Sequence, residues 1–259
     1  MSAPPARGRL FLVPTPLDFG CETDAPLDAA LPARTVEIAA GLTHWITENA
    51  KSTRAFLKRV GAQRPLATPL QEQRITELPR EVHKKGDHDA GGGGFDARPL
   101  LGAALQGPDI GLVSEAGMPA IADPGSSVVR AAHALGIEVV PLVGPISLML
   151  ALAASGLNGQ NFAFVGYLPA DPAGRTQRIR ELETMAHKTG QTQICIETPY
   201  RNAALLQGLL QALRPATRLA LCCGMTLARQ QVHSAPVSDW KQRAPALPLE
   251  LPTVFLFGK

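Results

Sequence analysis

The length, composition and charge of this chain exclude several classes of protein. It has 259 residues, of which 45% are hydrophobic and 18% charged, with a formal net charge of +3. A chain of this size buries a sizeable core as one large domain or two small ones. No apolar run reaches the roughly 18–20 residues of a membrane-spanning helix, and residues 1–9 lack the apolar core of a signal peptide. We therefore expect a soluble, cytoplasmic protein without a membrane segment.

The charges are spread unevenly along the chain. Residues 1–160 hold 14 Lys and Arg against 16 Asp and Glu, whereas residues 161–259 hold 11 against 6 and therefore carry +5. A basic half helps to attract the phosphate backbone of RNA. A solvated surface explains a charge of this size equally well, so both interpretations stay open.

The cysteines indicate neither a disulfide framework nor a zinc site. There are four, at irregular spacing: Cys21, Cys195, Cys222 and Cys223. The last three lie in apolar, strand-like runs and are interpreted as small buried hydrophobic residues. Redox activity of the adjacent pair is the less favoured alternative.

The first 155 residues alternate apolar runs with helix-like segments, which favours βα units and a mainly parallel sheet. The predicted strands are Leu10–Val13, Thr43–Thr47, Ile110–Val113 and Ile137–Val143. Gly111 weakens the third of these predictions. Residues 66–98 show little regular structure, and the polar, Gly-rich segment 83–96 is interpreted as a mobile loop before a helix over 99–106.

The loop that follows Ile110–Val113 is the most informative stretch of the chain. Gly and Pro recur through residues 114–125, and Ser126 can cap a helix predicted over Ser127–Leu135. Open α/β sheets bind ligands at Gly-containing loops after parallel strands, because Gly lets backbone groups approach closely. A plain strand-turn-helix joint is the alternative, since such a joint carries no chemistry by itself.

Residue by residue, this loop resembles that of a known family. Residues 114–125 read Ser-Glu-Ala-Gly-Met-Pro-Ala-Ile-Ala-Asp-Pro-Gly, similar to S-D-A-G-T-P-x-I-S-D-P-G of the tetrapyrrole methylase superfamily and, within it, of the ribosomal RNA ribose methyltransferases. The resemblance implies a homodimer of two-domain α/β subunits that bind S-adenosylmethionine in the cleft between the domains. It also implies a mixed sheet in the second domain.

Three further segments carry the same resemblance. Glu48 to Leu57 partly match E-D-T-R-x-T-x-x-L-L, with Asn49 in place of Asp, residues 144–147 resemble P-G-P-S-A, and residues 197–201 resemble E-S-P-H-R. Polar and Gly residues at 155–161 mark the expected domain boundary. We therefore expect an N-terminal domain over 1–160 that holds the cofactor loops and a C-terminal domain over 161–259 that completes the cleft.

The resemblance implies a cofactor site built from loops and the apolar residues beside them. Gly117 and Gly144, expected at the ends of neighbouring strands, let backbone groups approach the cofactor. Met118 stands where relatives have Thr or Asp, which changes the polar contact expected there. The other candidates are the helix-capping Ser147 and the apolar wall residues Leu17, Ile121, Leu148 and Ile196.

Acidic and basic side chains near these loops are the candidates for catalysis and substrate binding. A hydroxyl nucleophile must lose a proton, so Glu48 and Glu197 are the candidate catalytic acids, with Asp123 as a third carboxylate near the cleft. Lys51 and Arg201 are candidates for phosphate contact. A structural salt bridge from Glu48 to Lys51, or to the next base along the helix, is the alternative for that carboxylate.

No metal site is expected. His83, Asp87, His88 and Asp89 have side chains that ligate metals, but they lie in the Gly-rich segment. A mobile loop holds ligands in no fixed geometry, which makes it a poor metal site.

Three polar motifs of the ribose methyltransferases are lost: the Gly-Asn-Leu after the first strand, an H-N-E after the third, and an Arg-Glu after a strand of the second domain. The loops that hold the cofactor are kept better than the residues that meet the substrate. Two hypotheses follow. The chain is an S-adenosylmethionine-dependent methyltransferase whose substrate is RNA, in the ribosome or its small subunit, or another acceptor; alternatively, it is a catalytically degenerate member that binds cofactor or RNA without methyl transfer.

Overall fold

The computed structural model describes residues 6–18, 26–79, 81–82, 87, 95–243 and 245–259. The chain forms two compact units, residues 1–146 and 147–259. Each unit is built around one five-stranded sheet. Cys21, and His83, His88 and Asp89 of the Gly-rich segment, lie outside the described residues.

The sheet of the first unit is parallel throughout, as predicted. Its strands follow the order β3-β2-β4-β1-β5. They are β1 (Leu10–Leu12), β2 (His44–Thr47), β3 (Arg74–Glu77), β4 (Ile110–Val113) and β5 (Val139–Pro141). The helices α1 (Ala33–Gly41), α2 (Ala50–Gln63) and α3 (Ser126–Ala134) accompany them.

Alternate residues along the strands of this sheet pack into two separate hydrophobic cores. On β2, Trp45 packs in the cluster that contains residues of α1 and α2, whereas Ile46 packs in the cluster that contains residues of α3. At β1 and β4 both faces of the sheet are buried, which is why these two strands are apolar runs. Gly111 fits the strand because a Cβ there would lie 2.5 Å from Cζ3 of Trp45. The glycine that weakened the prediction therefore makes room for the indole.

The sheet of the second unit is mixed, which confirms the predicted fold class. Its order is β6-β7-β10-β8-β9, and only β6 and β7 are parallel. The strands are β6 (Phe162–Tyr167), β7 (Thr192–Glu197), β8 (Arg218–Cys223), β9 (Gln231–Pro236) and β10 (Thr253–Gly258). The helices are α4 (Ser147–Ser155), α5 (Pro172–Thr189), α6 (Asn202–Ala212) and α7 (Val237–Gln242).

Helix α4 belongs to the second unit, so the two units divide earlier than the expected boundary after residue 160. The helix contacts β8, β9 and β10, and the Ser234 hydroxyl donates a hydrogen bond to the Ser155 carbonyl at 2.6 Å. Its inward side chains, Leu148 among them, are buried. The polar residues at 155–161 therefore mark a turn inside the second unit.

Several local predictions need correction. Helix α1 and strand β3 were missed, since α1 follows two prolines in a segment without clear periodicity and β3 is a largely exposed strand at the sheet edge. Two short 3-10 turns, Arg98–Leu101 and Ala104–Gln106, replace the helix expected over 99–106.

The three described cysteines are buried and reduced. Burial raises the pKa of the Cys195 and Cys222 thiols to about 12, so both stay protonated at neutral pH. Thiolate is the redox-active form, and the interpretation of these residues as small buried hydrophobic groups fits this environment.

Candidate cofactor and substrate sites

Three loops meet at the carboxyl edge of the first sheet. The loop after β1 is joined to the loop after β4 by two backbone hydrogen bonds, from Thr15 N to Gly117 O at 3.0 Å and from Gly117 N to Thr15 O at 3.1 Å. The loop after β5 lies against both, because a Cβ on Gly117 would be 3.4 Å from Pro145 O and one on Gly144 would be 2.2 Å from Cγ of Pro14. This edge is where parallel α/β sheets bind ligands.

The two glycines are required by backbone geometry. Gly117 has a φ of +77°, which L side chains rarely adopt, and a Cβ would also approach Cδ2 of the buried Leu17 to 2.9 Å. Gly144 permits contact between the loops after β5 and β1. The strands that precede these glycines, β4 and β5, were expected to be neighbours. This expectation was wrong, because β1 lies between them in the sheet. The glycines therefore flank the β1 loop.

The loop after β4 is held in a strained conformation. Ala120 and Ala122 have φ values of +64° and +63°, and each such non-Gly residue costs on the order of 1–3 kcal/mol. Ile121, between them, is 41% exposed, and Met118 is half-buried. Strain of this kind persists where the surrounding structure enforces it and clusters at functional sites.

Three carboxylates gather where β2 and β4 end. Burial, together with the charges of Glu48 and then Glu115, raises the pKa of Asp123 to about 7. The Ser114 hydroxyl lies close enough to oppose this shift, although it makes no hydrogen bond of ordinary geometry within the described part of the chain. Asn49 donates to Glu115 Oε1 at 2.8 Å. A carboxyl with a pKa near 7 exchanges its proton at neutral pH.

Asn49, which replaces the acid of the family pattern, is also the N-cap of α2. Its Oδ1 accepts hydrogen bonds from Lys51 N at 2.9 Å and Ser52 N at 3.4 Å. This fixes where the helix begins and places Lys51, exposed, in its first turn. Glu48, one residue before, is half-buried. Their predicted substrate and catalytic roles stay predictions.

Helix α3 is capped from a distant part of the chain. It begins at Ser126 after Gly125, whereas Ser126 was expected to be the cap. Asp87 Oδ2 accepts from Gly125 N at 2.8 Å and Ser127 N at 2.7 Å, and Asp87 Oδ1 accepts from the Ser126 hydroxyl at 2.9 Å. Burial acts to raise the pKa of Asp87, but these hydrogen bonds outweigh it and hold that pKa below its usual range.

No metal site emerges from the part of the chain that the structure describes. It contains no group of three or more His, Cys, Asp or Glu side chains able to hold a metal ion. Of the four residues weighed from the sequence, only Asp87 is described, and its carboxylate binds the start of α3.

In the second unit, Glu197 holds Arg201. The Glu197 side chain is buried, and its Oε1 accepts from Thr198 N at 2.8 Å and from Arg201 Nη2 at 2.8 Å. The hydrogen bond that Arg201 donates to this carboxylate raises the pKa of Arg201. This geometry suits Glu197 to positioning a cation, and its catalytic role stays a prediction.

Three of the predicted cofactor residues also lie in the second unit. Ser147 opens α4 and Leu148 is buried behind it, while Ile196 is half-buried on β7. Their roles in binding the cofactor stay predictions, as does the phosphate contact expected of Arg201.

A family model matches most of the chain. The model described as Tetrapyrrole (Corrin/Porphyrin) Methylases matches residues 44–240. The chain belongs to the tetrapyrrole methylase family. The resemblance that the loop over 114–125 carried is thereby confirmed.

Relatives and solved structures agree with this assignment. Ribosomal RNA small subunit methyltransferase I of Escherichia coli O157:H7 is 29% identical over 238 residues, which are 92% of this chain and 72% of the relative. The protein of the same name from Pseudomonas aeruginosa is 30% identical over 236 residues, 90% of this chain and 73% of the relative. The chain belongs to a methylase family and resembles two relatives that are named methyltransferases. The predicted class, an S-adenosylmethionine-dependent methyltransferase, is therefore confirmed.

Two tetrapyrrole methylase structures show the same fold. Uroporphyrin-III C-methyltransferase from Thermus thermophilus, solved with S-adenosylhomocysteine, has a TM-score of 0.54 at 16% identity and covers 97% of this chain and 98% of its own. The methyltransferase CobJ has a TM-score of 0.57 at 15% identity, covering 97% and 94%.

Proposed function

We propose that this chain is an S-adenosylmethionine-dependent methyltransferase that acts on RNA of the small ribosomal subunit. The observation that carries the proposal is the junction of three loops at the carboxyl edge of the first sheet, in a member of a methylase family. The RNA substrate is supported by relatives named for ribosomal RNA and by the +5 charge of residues 161–259.

The residues at this edge fit an adenosyl sulfonium compound. Gly117 and Gly144 let the loops after β1, β4 and β5 pack closely, which brings backbone groups of all three loops to one edge of the sheet. The Ser114 hydroxyl, buried and without a hydrogen-bond partner of ordinary geometry in the described residues, is a polar group for a ligand to satisfy. The carboxylates of Glu48, Glu115 and Asp123 favour a positive charge nearby. When bound, the cofactor supplies an electrophilic methyl group on its sulfonium.

We assign proton removal from the acceptor hydroxyl to Asp123, with Glu48 in support. The pKa of Asp123, near 7 through burial and the Glu48 charge, suits a general base at neutral pH. Glu48, the acid favoured from the sequence, then acts by keeping the Asp123 pKa high. This division of labour accounts for a half-buried pair of acids in the segments that follow β2 and β4.

We further propose that the enzyme works as a homodimer in the cytoplasm. Helix α4 is apolar on every side, and its Met149 and Leu150 are 37% and 38% exposed. Helices that are apolar all round are normally buried, which supports a partner surface there. Among the described residues, no helix is long and apolar enough to cross a membrane. Sedimentation of the wild type and of Leu150→Lys tests the dimer, since the lysine variant is expected to sediment as a monomer.

Calorimetric titration with S-adenosylmethionine, followed by transfer of tritiated methyl groups, tests the function. We expect binding, and label in small but not large ribosomal subunits. The loss of three polar family motifs favours the alternative of a degenerate member. Binding without label in either subunit or in bulk RNA would support that alternative and refute the proposed activity.

A further inference from the structure

The two tyrosines of the chain stand together on the surface of the second unit. The sequence contains only two, Tyr167 and Tyr200. Tyr167 is 57% exposed and Tyr200 is 82% exposed. Tyr167 ends β6 and Tyr200 follows β7, and because these strands are parallel both rings lie at the same edge of the sheet.

Arg201 lies beside the Tyr200 ring and within electrostatic reach of Tyr167. Its Cζ is 5.8 Å from the centroid of the Tyr200 ring, and the phenol groups of Tyr200 and Tyr167 both act electrostatically on its guanidinium. The buried carboxylate of Glu197 fixes that guanidinium at 2.8 Å. A planar cation beside the exposed Tyr200 ring is therefore held in place by the fold.

A bulge in β6 determines where Tyr167 points. Phe164 pairs with Ile194 and Tyr167 pairs with Ile196. Between these two pairs β6 therefore contains one residue more than β7. The extra residue is accommodated beside Gly166, whose φ is +71°. Tyr167 is thereby returned to the face of the sheet that also carries Phe164, which is 38% exposed.

We propose that Tyr167, Tyr200 and Arg201, the tyrosine clamp, bind single-stranded RNA by stacking its unpaired bases on the two rings and contacting a phosphate through the guanidinium. This inference rests on the proposed RNA substrate and names residues that bind it. Aromatic rings stack on every base, and arginine adds planar stacking and phosphate contact. Two phenols and a cation, in a unit that carries +5, fit a polyanion of flat bases better than they fit the apolar surface of a second copy of the chain.

Fluorescence anisotropy with a fluorescein-labelled single-stranded RNA of about 15 nucleotides, and with the same RNA as a duplex, tests the clamp. The measurement omits S-adenosylmethionine. We expect Tyr167→Ala and Tyr200→Ala each to weaken single-strand binding by about 5- to 100-fold and to leave duplex binding within about two-fold. Tyr167→Phe and Tyr200→Phe keep the rings and should bind within about three-fold of the wild type.

Matched controls separate the clamp from general surface effects. Arg178→Gln removes a cation from an exposed pair on α5, and Leu105→Ala removes exposed apolar surface from the first unit; both should bind single strands nearly as the wild type does. Because both tyrosine rings are exposed, the alanine variants should keep the wild-type melting temperature. A melting temperature lowered together with RNA affinity in all tyrosine variants, Phe included, would overturn the clamp.

The remaining outcomes are also decisive. Alanine variants that bind single strands as tightly as the wild type would refute the clamp, as would an equal loss for duplex and single strand. A change in the monomer–dimer equilibrium with unchanged RNA affinity would assign the rings to a second copy of the chain. Methyl transfer to a non-RNA acceptor would refute the proposed function, whereas absence of RNA binding by the wild type would refute the clamp alone.

Discussion

The edge of the first sheet and the β6–β7 edge of the second unit are built in different ways. The first edge is shaped mainly by backbone conformation, through Gly117, Gly144 and a loop strained at two alanines. The second edge is shaped by side chains, namely two exposed tyrosines and an arginine that a buried carboxylate anchors.

The difference explains which family motifs survive in this chain. A backbone site tolerates no side chain where loops touch, so its glycines are dictated by geometry. A side-chain site can be rebuilt with other residues while the fold stays intact. The sequence accordingly keeps most of the loop over 114–125, whereas at the second edge it matches E-S-P-H-R at Glu197, Pro199 and Arg201 but has Tyr200 in place of His. The following predictions test this contrast.

The largest effect is expected at Asp123. Asp123→Asn keeps the shape of the side chain but removes the proton acceptor, so kcat for methyl transfer should fall by about 10²- to 10⁴-fold, while the Kd for S-adenosylmethionine changes little. The wild-type rate should rise with pH through about 7, since the base acts when deprotonated. Glu48→Gln removes a charge that raises the pKa of Asp123, so the rise should move to lower pH. A profile unchanged by Glu48→Gln would contradict this assignment.

Gly144 should show the dependence of the first site on backbone contact. Gly144→Ala places a Cβ 2.2 Å from Pro14 Cγ and 3.2 Å from Leu31 Cδ2, so we expect a loss of about 1–3 kcal/mol in the free energy of unfolding and loss of calorimetric cofactor binding. Gly41→Ala is the matched control, because nothing lies within 4 Å of its added Cβ. Equal effects of the two substitutions would remove the contrast between the sites.

Asp87 should stabilise the loop of the first site through the start of α3. Asp87→Asn is expected to lower the free energy of unfolding by about 1 kcal/mol at pH 7, as loss of a helix cap does. The folded pKa is depressed, so this contribution is present above the unfolded value of about 3.9 and is lost as pH falls through the folded pKa. Urea unfolding of both proteins at pH 7 and pH 3 measures it. Asp96→Asn, at an exposed carboxylate paired with Arg98, is the control and should leave the melting temperature unchanged. A stability difference between Asp87→Asn and the wild type that grows toward acid would contradict the sign.

The smallest effect is expected at Glu197. Glu197→Gln keeps one carbonyl oxygen to accept from Arg201 but removes the charge that attracts it, so single-stranded RNA should bind about 2- to 10-fold more weakly because the guanidinium is held less firmly. Cofactor affinity should not change, as calorimetry can establish. A loss of cofactor binding in this variant would show that the two sites are not separable.

Much of the first site was predictable because its signals are local. The parallel arrangement follows from apolar runs such as Leu10–Leu12 and Ile110–Val113, which are buried on both faces. Gly117 and Gly144 identify close backbone approach by residue type alone. The same local signals failed at Ala33–Gly41 and Arg74–Glu77, where periodicity is weak and packing against neighbouring elements decides the structure.

What the chain determines by itself is therefore the family, the two sheets and the loops after their strands, because these depend on residue type and short spacing. Only the tertiary structure brings Asp87 to Gly125 across 38 positions, Glu48 beside Asp123, and both tyrosines to one arginine. These contacts join residues far apart in sequence, and electrostatic energy and burial depend on distance in space. The pKa of Asp123 and the tyrosine clamp are properties of the fold for that reason.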